Sequence, residues 1–135
     1  MTACGIWLSR KRLVAVVVDD EGRAAPALYA AMGDEERWAL LERIDATHGL
    51  DCELVIPDDL VKSDAISRFA LERGQELWAA PWLLVDAVRR VAGLTSGPPG
   101  RVAAMIARLA IVPGFRGHLR PVDRPICDHR QLPLL

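Results

Sequence analysis

Residues Gly5 to Gly22 constrain this chain more tightly than any other stretch. An apolar segment, Gly5-Ile6-Trp7-Leu8, meets a polar turn at Ser9 to Arg12, and a second apolar segment, Leu13 to Val18, ends at Asp20-Glu21-Gly22. That layout predicts two strands of a hairpin with a polar tip. Leu13 to Val18 is among the longest apolar runs of the chain.

Further elements follow along the chain. Pro26 precedes Ala27-Leu28-Tyr29-Ala30-Ala31, a third strand with its proline at the start or on an edge. Asp34-Glu35-Glu36 supplies acids at a helix start, Trp38, Leu41 and Ile44 follow at helical spacing, and His48-Gly49 closes the helix. Cys52 to Pro57 reads as a buried fourth strand. One helix is expected from Asp58 or Asp59 to Gly74, with Ile66, Phe69 and Ala70 inward. Glu76 to Ala80 is a fifth strand, and Pro81 opens a helix with Leu84, Val85, Val88, Val91 and Ala92 on one face. After a glycine and proline linker at Thr95 to Gly100, Arg101 to Ile111 regains helical period through Val102, Met105, Ile106 and Leu109. From Val112 no apolar period can be counted. The expected organisation is one α/β domain over residues 1–111 and an irregular tail rich in proline and arginine over 112–135. The domain is a five-stranded mixed sheet, a three-strand antiparallel meander followed by β-α-β-α crossovers, with helices on both faces.

Composition narrows the function classes. Half of the 135 residues are apolar, enough for a core without disulfides. No apolar run approaches the roughly 20 residues of a membrane helix, and the N-terminus lacks a signal-peptide pattern, so a cytoplasmic location is expected and no membrane partner. Cys4, Cys52 and Cys127 form no CxxC pair and read as reduced thiols; Cys127-Asp128-His129 has too few companions for a zinc site. Residues 1–95 carry 11 basic and 16 acidic groups, whereas residues 96–135 carry 6 and 2, so any polyanion contact is expected near the C-terminus. No phosphate-binding glycine loop or nucleophile elbow is present.

The order of elements is that of ribonuclease H-like proteins, and short motifs add to it. Gly5-Ile6-Trp7-Leu8-Ser9-Arg10-Lys11 resembles the Gly-Ile-Asp-x-Ser-Lys opening of the RuvC-like N-terminal domain of DEDD transposases of insertion sequences. Leu54-Val55-Ile56-Pro57 resembles their apolar run before a glutamate, Ala79-Ala80-Pro81 their Asn-Pro, and Arg101 to Ala110 their Asp-x-x-Asp-Ala-x-x-Leu-Ala segment. In such nucleases convergent carboxylates hold two divalent metals that activate water against a phosphodiester. The positions matching those carboxylates are here Trp7, Pro57 and the stretch from Pro98 to Ala103, none of them acidic. The resemblance therefore implies a fold whose catalytic carboxylates are missing: an inactive domain acting as a protein-interaction or nucleic-acid-associated assembly module. No cofactor is then expected.

The alternative is a divergent nuclease that uses magnesium or manganese through Asp58, Asp59 and Asp86. Trp38 and Trp78 are expected in the core. Trp7 and Trp82, near the strand ends, are packing residues or platforms for a base or a partner's apolar side chain. Arg116, Arg120, Arg124 and Arg130 would follow phosphates if the tail binds nucleic acid; its prolines and leucines would otherwise dock on a protein or on the domain itself.

Overall fold

The computed structural model describes residues 2–49, 51–93 and 98–123. Strands β1 (Ala3–Ser9) and β2 (Arg12–Val18) form the expected hairpin, in register from Ala3↔Val18 to Ser9↔Arg12. The two-residue tip needs a left-handed backbone, which Arg10 supplies at φ 57°. Strand β3 (Leu28–Ala31) extends the meander on β2. Helix α1 (Asp34–His48) leads into β4 (Glu53–Pro57), which lies parallel to β1, and β5 (Leu77–Ala80) lies parallel to β4. The last elements are α4 (Trp82–Val91), α5 (Pro99–Arg108), a short α6 (Pro113–Arg116) and β6 (Arg120–Val122).

The sheet has six strands in the order β3-β2-β1-β4-β5-β6 and not the expected five. The sixth is β6, antiparallel to β5 through Leu77↔Val122, Trp78↔Pro121 and Ala79↔Arg120. It lies in the stretch expected to be irregular. Three residues containing a proline have no countable period, and only the free edge of β5 gives them a place. The rest of that tail, from Arg124 with Arg130 and Cys127, lies outside the described residues.

Alternation along the strands separates two cores. Cys4, Ile6, Leu13, Ala15, Val17, Leu54, Ile56, Leu77 and Ala79 face Leu40, Leu41 and Ile44 of α1, together with Leu60, Val61, Ile66, Phe69 and Ala70. Ala3, Val14, Val16, Val18, Val55 and Ala80 face Val85 of α4 and the Val102 to Ala107 run of α5. Helices thus cover both faces, as the order of elements implied. Cys4 and Cys52 are buried free thiols, and desolvation pushes both above the ordinary thiol range.

On the second face, α5 lies directly on the middle of β1. A Cβ added to Gly5 would stand 1.9 Å from the Ala103 carbonyl oxygen and 2.5 Å from the Ala107 amide nitrogen. Gly5 is there for the approach of a helix backbone. Ala103, Ala104 and Ala107 keep the helix side equally thin, and all three are buried.

On the first face, the helix expected from Asp58 to Gly74 is divided into α2 (Asp58–Ser63) and α3 (Ile66–Glu72). The break is at Asp64, whose backbone is extended at φ −117° and ψ 141°. Its carboxylate receives Arg37 Nε at 2.9 Å and Nη2 at 2.6 Å, and also the Ile66 amide at 2.9 Å. Arg37 further donates to the Ala31 carbonyl at 2.9 Å, so one buried pair ties the end of β3, α1 and the α2–α3 junction together. The side chains are only 4% and 9% exposed, and the Asp64 carboxylate holds the Arg37 guanidinium above its ordinary value. Asp45 makes a second link, accepting from Arg73 and, at 2.8 Å, from Gln75. Trp38 stacks on Phe69 at 5.0 Å, as expected of a core indole.

Helix α4 departs from its expected face. Val85 is fully buried, Leu84 and Val88 are half-buried against the second core, and Val91 is 90% exposed, so the inward face ends before Val91.

Two substitutions test these contacts by urea denaturation. Gly5→Ala should lower stability by about 3 kcal/mol or more, since neither colliding atom belongs to a side chain that can turn away. Asp64→Ala should cost about 3–5 kcal/mol by leaving Arg37 charged and buried without its partner. An effect under about 1 kcal/mol in either case would contradict the packing described.

Candidate functional site

Open parallel sheets bind ligands outside the carboxyl ends of their strands, where neighbouring strands part. Here β1 and β4 pair only from Ala3↔Glu53 to Gly5↔Val55. Trp7 and Pro57 lie beyond the last pair, and Pro57 has no N–H with which to continue the ladder. The strands separate there into a crevice of about 240 Å³ lined by Trp7, Leu8, Pro57, Asp59, Leu60, Ser63 and Trp82.

Each wall follows from local sequence. Trp7 is an odd residue of β1, so its ring joins the α4–α5 side of the sheet, half-buried, with the Arg89 guanidinium 4.8 Å from its centroid. Pro57 ends β4 and directly precedes α2, which brings Asp59, Leu60 and Ser63 to the opening. Pro81 stops β5 and starts α4, leaving Trp82 at the mouth, 48% exposed. Leu8, the next residue of the hairpin strand, is 39% exposed on the rim. Beyond it, the hairpin tip carries Arg10 and Lys11, both exposed.

Trp7 and Trp82 thus line one crevice together with Asp59. The three acids of the metal alternative do not come together. Asp58 accepts from Arg120 Nη2 at 2.5 Å and stands 3.9 Å from Lys62 Nζ. Asp86 pairs with Arg90 at 3.1 Å along α4. Only Asp59 lines the crevice, and among the described residues no three of His, Cys, Asp and Glu converge where they would hold a metal ion. A pair of hard divalent cations needs several oxygen ligands, and two indoles, a proline and one carboxylate do not fit it. Nor does α5 contribute: Val102 to Ala107 are all buried apolar residues against the sheet.

The basic tail residues also have local tasks. Arg116 donates to both oxygens of Glu53, at 2.7 Å and 2.9 Å, and to the Ala110 carbonyl at 2.8 Å, and its guanidinium lies 5.0 Å from the Trp78 ring centroid. Glu53 holds the Arg116 guanidinium above its ordinary value. Arg116 is therefore a clamp between the start of β4, the end of α5 and β5, and not a free phosphate ligand. Arg120 is 48% exposed and bound to Asp58. Arg124 and Arg130 lie outside the described residues.

Sequence reasoning passed over Ser63, Leu8 and Leu60 as parts of a site, and Arg37 and Asp64 as a buried pair. For Leu60 the signal available was its position in the first helical turn after β4; Leu8, within β1, and Ser63, at the end of α2, carried no such mark. No sequence signal marked Arg37, because its partner is 27 residues away.

The whole chain can be set against known proteins at this point. It matches no protein-family profile and no curated protein. Among solved structures it is similar to Thermus thermophilus RuvC in complex with a Holliday junction substrate, with TM-score 0.60, 18% identity, 90% of this chain and 99% of that one covered. The fold is RuvC-like. A second structure of Thermus thermophilus RuvC agrees, with TM-score 0.57, 17% identity and coverage of 90% and 100%. The ribonuclease H-like arrangement expected from the element order therefore holds over nearly the whole domain, with β6 added to the sheet. Among the described residues, no helix of this RuvC-like domain is long and apolar enough to cross a membrane.

Arg116→Ala separates a clamp from a phosphate ligand. It should lower stability by about 1–3 kcal/mol, less than for a fully buried pair because Arg116 is one-third exposed. Equilibrium unfolding reads this directly, and an unchanged midpoint would remove the clamp assignment.

Proposed function

We propose that this chain is a catalytically inactive RuvC-like domain that works as a nucleic-acid-associated assembly module. One observation carries the reading: the crevice at the strand ends is lined by Trp7, Pro57 and Trp82 with a single carboxylate, Asp59. Phosphodiester hydrolysis by two metals needs hard ligands arranged to generate hydroxide and stabilise the leaving oxygen. This crevice supplies stacking and apolar contact instead.

Association with nucleic acid is supported by the fold shared with a protein solved on a Holliday junction and by the cations beside the crevice. Arg10 and Lys11 are exposed at the hairpin tip and make no ion pair among the described residues. A second reading, binding to another protein or to a second copy of the chain, is favoured by Leu83, 80% exposed, and Val91, 90% exposed, on α4.

The deciding experiment incubates the pure protein with labelled four-way junctions, with and without magnesium or manganese, at several salt concentrations. The junctions should remain intact under every condition while being bound with an affinity that falls as salt rises. Cleavage dependent on either metal would overturn inactivity. Absence of binding, together with a concentration-dependent oligomer in sedimentation, would replace the nucleic-acid reading by the protein one.

A further inference from the structure

We infer that the strand-end crevice is a pocket for one unpaired nucleobase of a single-stranded nucleic acid, with the adjoining phosphates held at the hairpin tip. This rests on the nucleic-acid reading above and names what the crevice itself would hold.

Size and lining suit a planar heterocycle. The space of about 240 Å³ is walled by two indoles and by Leu8, Pro57 and Leu60, with Asp59 and Ser63 as its charged and hydroxyl-bearing side chains. One face of Trp7 is taken by the Arg89 guanidinium at 4.8 Å. Trp82, 48% exposed at the mouth, is the free stacking platform. Every base has a π-face, and stacking on an aromatic side chain contributes about 1–3 kcal/mol per base. A base still paired within a duplex cannot enter, so the ligand is single-stranded or locally opened.

Charge decides which part of a nucleotide goes in. Asp59 repels a phosphate and, as an acceptor-only group, binds an exocyclic amine. Cytosine offers such an amine at N4, whereas thymine presents an oxygen at the corresponding position. An apolar protein side chain in the same space would desolvate Asp59 without giving it a donor, which is unfavourable. The phosphates then belong outside, and Arg10 and Lys11 stand two and three residues beyond Leu8 on the rim. Asp58 and Asp86, the other acids near this end, are already paired with Arg120 and Arg90 and add little repulsion.

The test titrates the full chain with oligo-dC and oligo-dT of about 12 nucleotides, within the usual site size of single-strand binders. Tryptophan fluorescence and fluorescence anisotropy are both read, and circular dichroism confirms that each variant is folded. Oligo-dC should quench the indoles saturably and bind at least about tenfold more tightly than oligo-dT, the effect of one hydrogen bond to a charged group. Trp82→Ala should weaken both about tenfold or more. Asp59→Ala should retain binding and lose the preference, tightening oligo-dT as the repulsive charge is removed. Arg10→Ala with Lys11→Ala should flatten the salt dependence by about two phosphates' worth without changing the dC to dT ratio.

Junction binding that is insensitive to Trp82→Ala, with no quenching by either oligonucleotide, would overturn the base pocket and leave the nucleic-acid reading intact. Absence of binding to junction and oligonucleotides alike would remove both. Equal affinity for dC and dT, unchanged by Asp59→Ala, would also overturn the assignment, as would a dimer that Trp82→Ala dissociates.

Discussion

The close seating of α5 on Gly5 is the contact on which the rest of the molecule depends. Without a Cβ at Gly5, and with alanines at 103 and 107, helix backbone and strand backbone meet with no side chains between them. That approach closes one face of a hairpin whose second strand has no polar residue, and it frees the other face for α1, α2 and α3. It also explains what α5 lacks. A helix buried from Val102 to Ala107 against the sheet is part of the core, and side chains able to reach a metal have no place on that surface.

The same geometry distinguishes the crevice from the scaffold around it. Arg37–Asp64, Asp45–Arg73 and Glu53–Arg116 each join elements distant in the chain; Glu53–Arg116 lies at the start of β4, and Arg37–Asp64 ties the end of β3 to the α2–α3 junction beside Ser63. Their charges are used up in holding α1, the α2–α3 junction and the β4–α6 corner. At the strand ends the balance is different: Trp82 and Leu8 are left part-exposed, Arg10 and Lys11 project at the tip, and Asp59 lines the opening. Exposed indole and leucine are not required by the core, which is closed elsewhere. In the function proposed above, their exposure beside two cations is the basis for assigning the binding surface to this end.

Much of the fold was legible from residue order. Strands β1 and β2, the limits of α1 at Asp34 and His48, and the start of α4 after Pro81 all follow from turn and cap residues acting within a few positions. Legibility ended where a distant partner decided. The break in α2–α3 comes from Arg37 drawing Asp64 into an extended backbone; β6 exists because β5 had an edge to pair; Arg116, open to phosphate or partner contact by its sequence alone, is held by Glu53, 63 residues away.

The sequence by itself determined the hairpin, the alternation that divides the two cores, and the presence of Trp7 and Pro57 towards the ends of their strands. These are local properties: strand period, turn chemistry and the identity of a side chain at a strand position. Only the tertiary structure decided that Trp7, Asp59 and Trp82 share one crevice, that Asp58 and Asp86 are spent in ion pairs, and that the sheet has a sixth strand. The physical reason is that strand ends from β1, β4 and β5 meet only after parallel pairing brings together segments some 50 and 75 residues apart, and no local pattern records where such ends part.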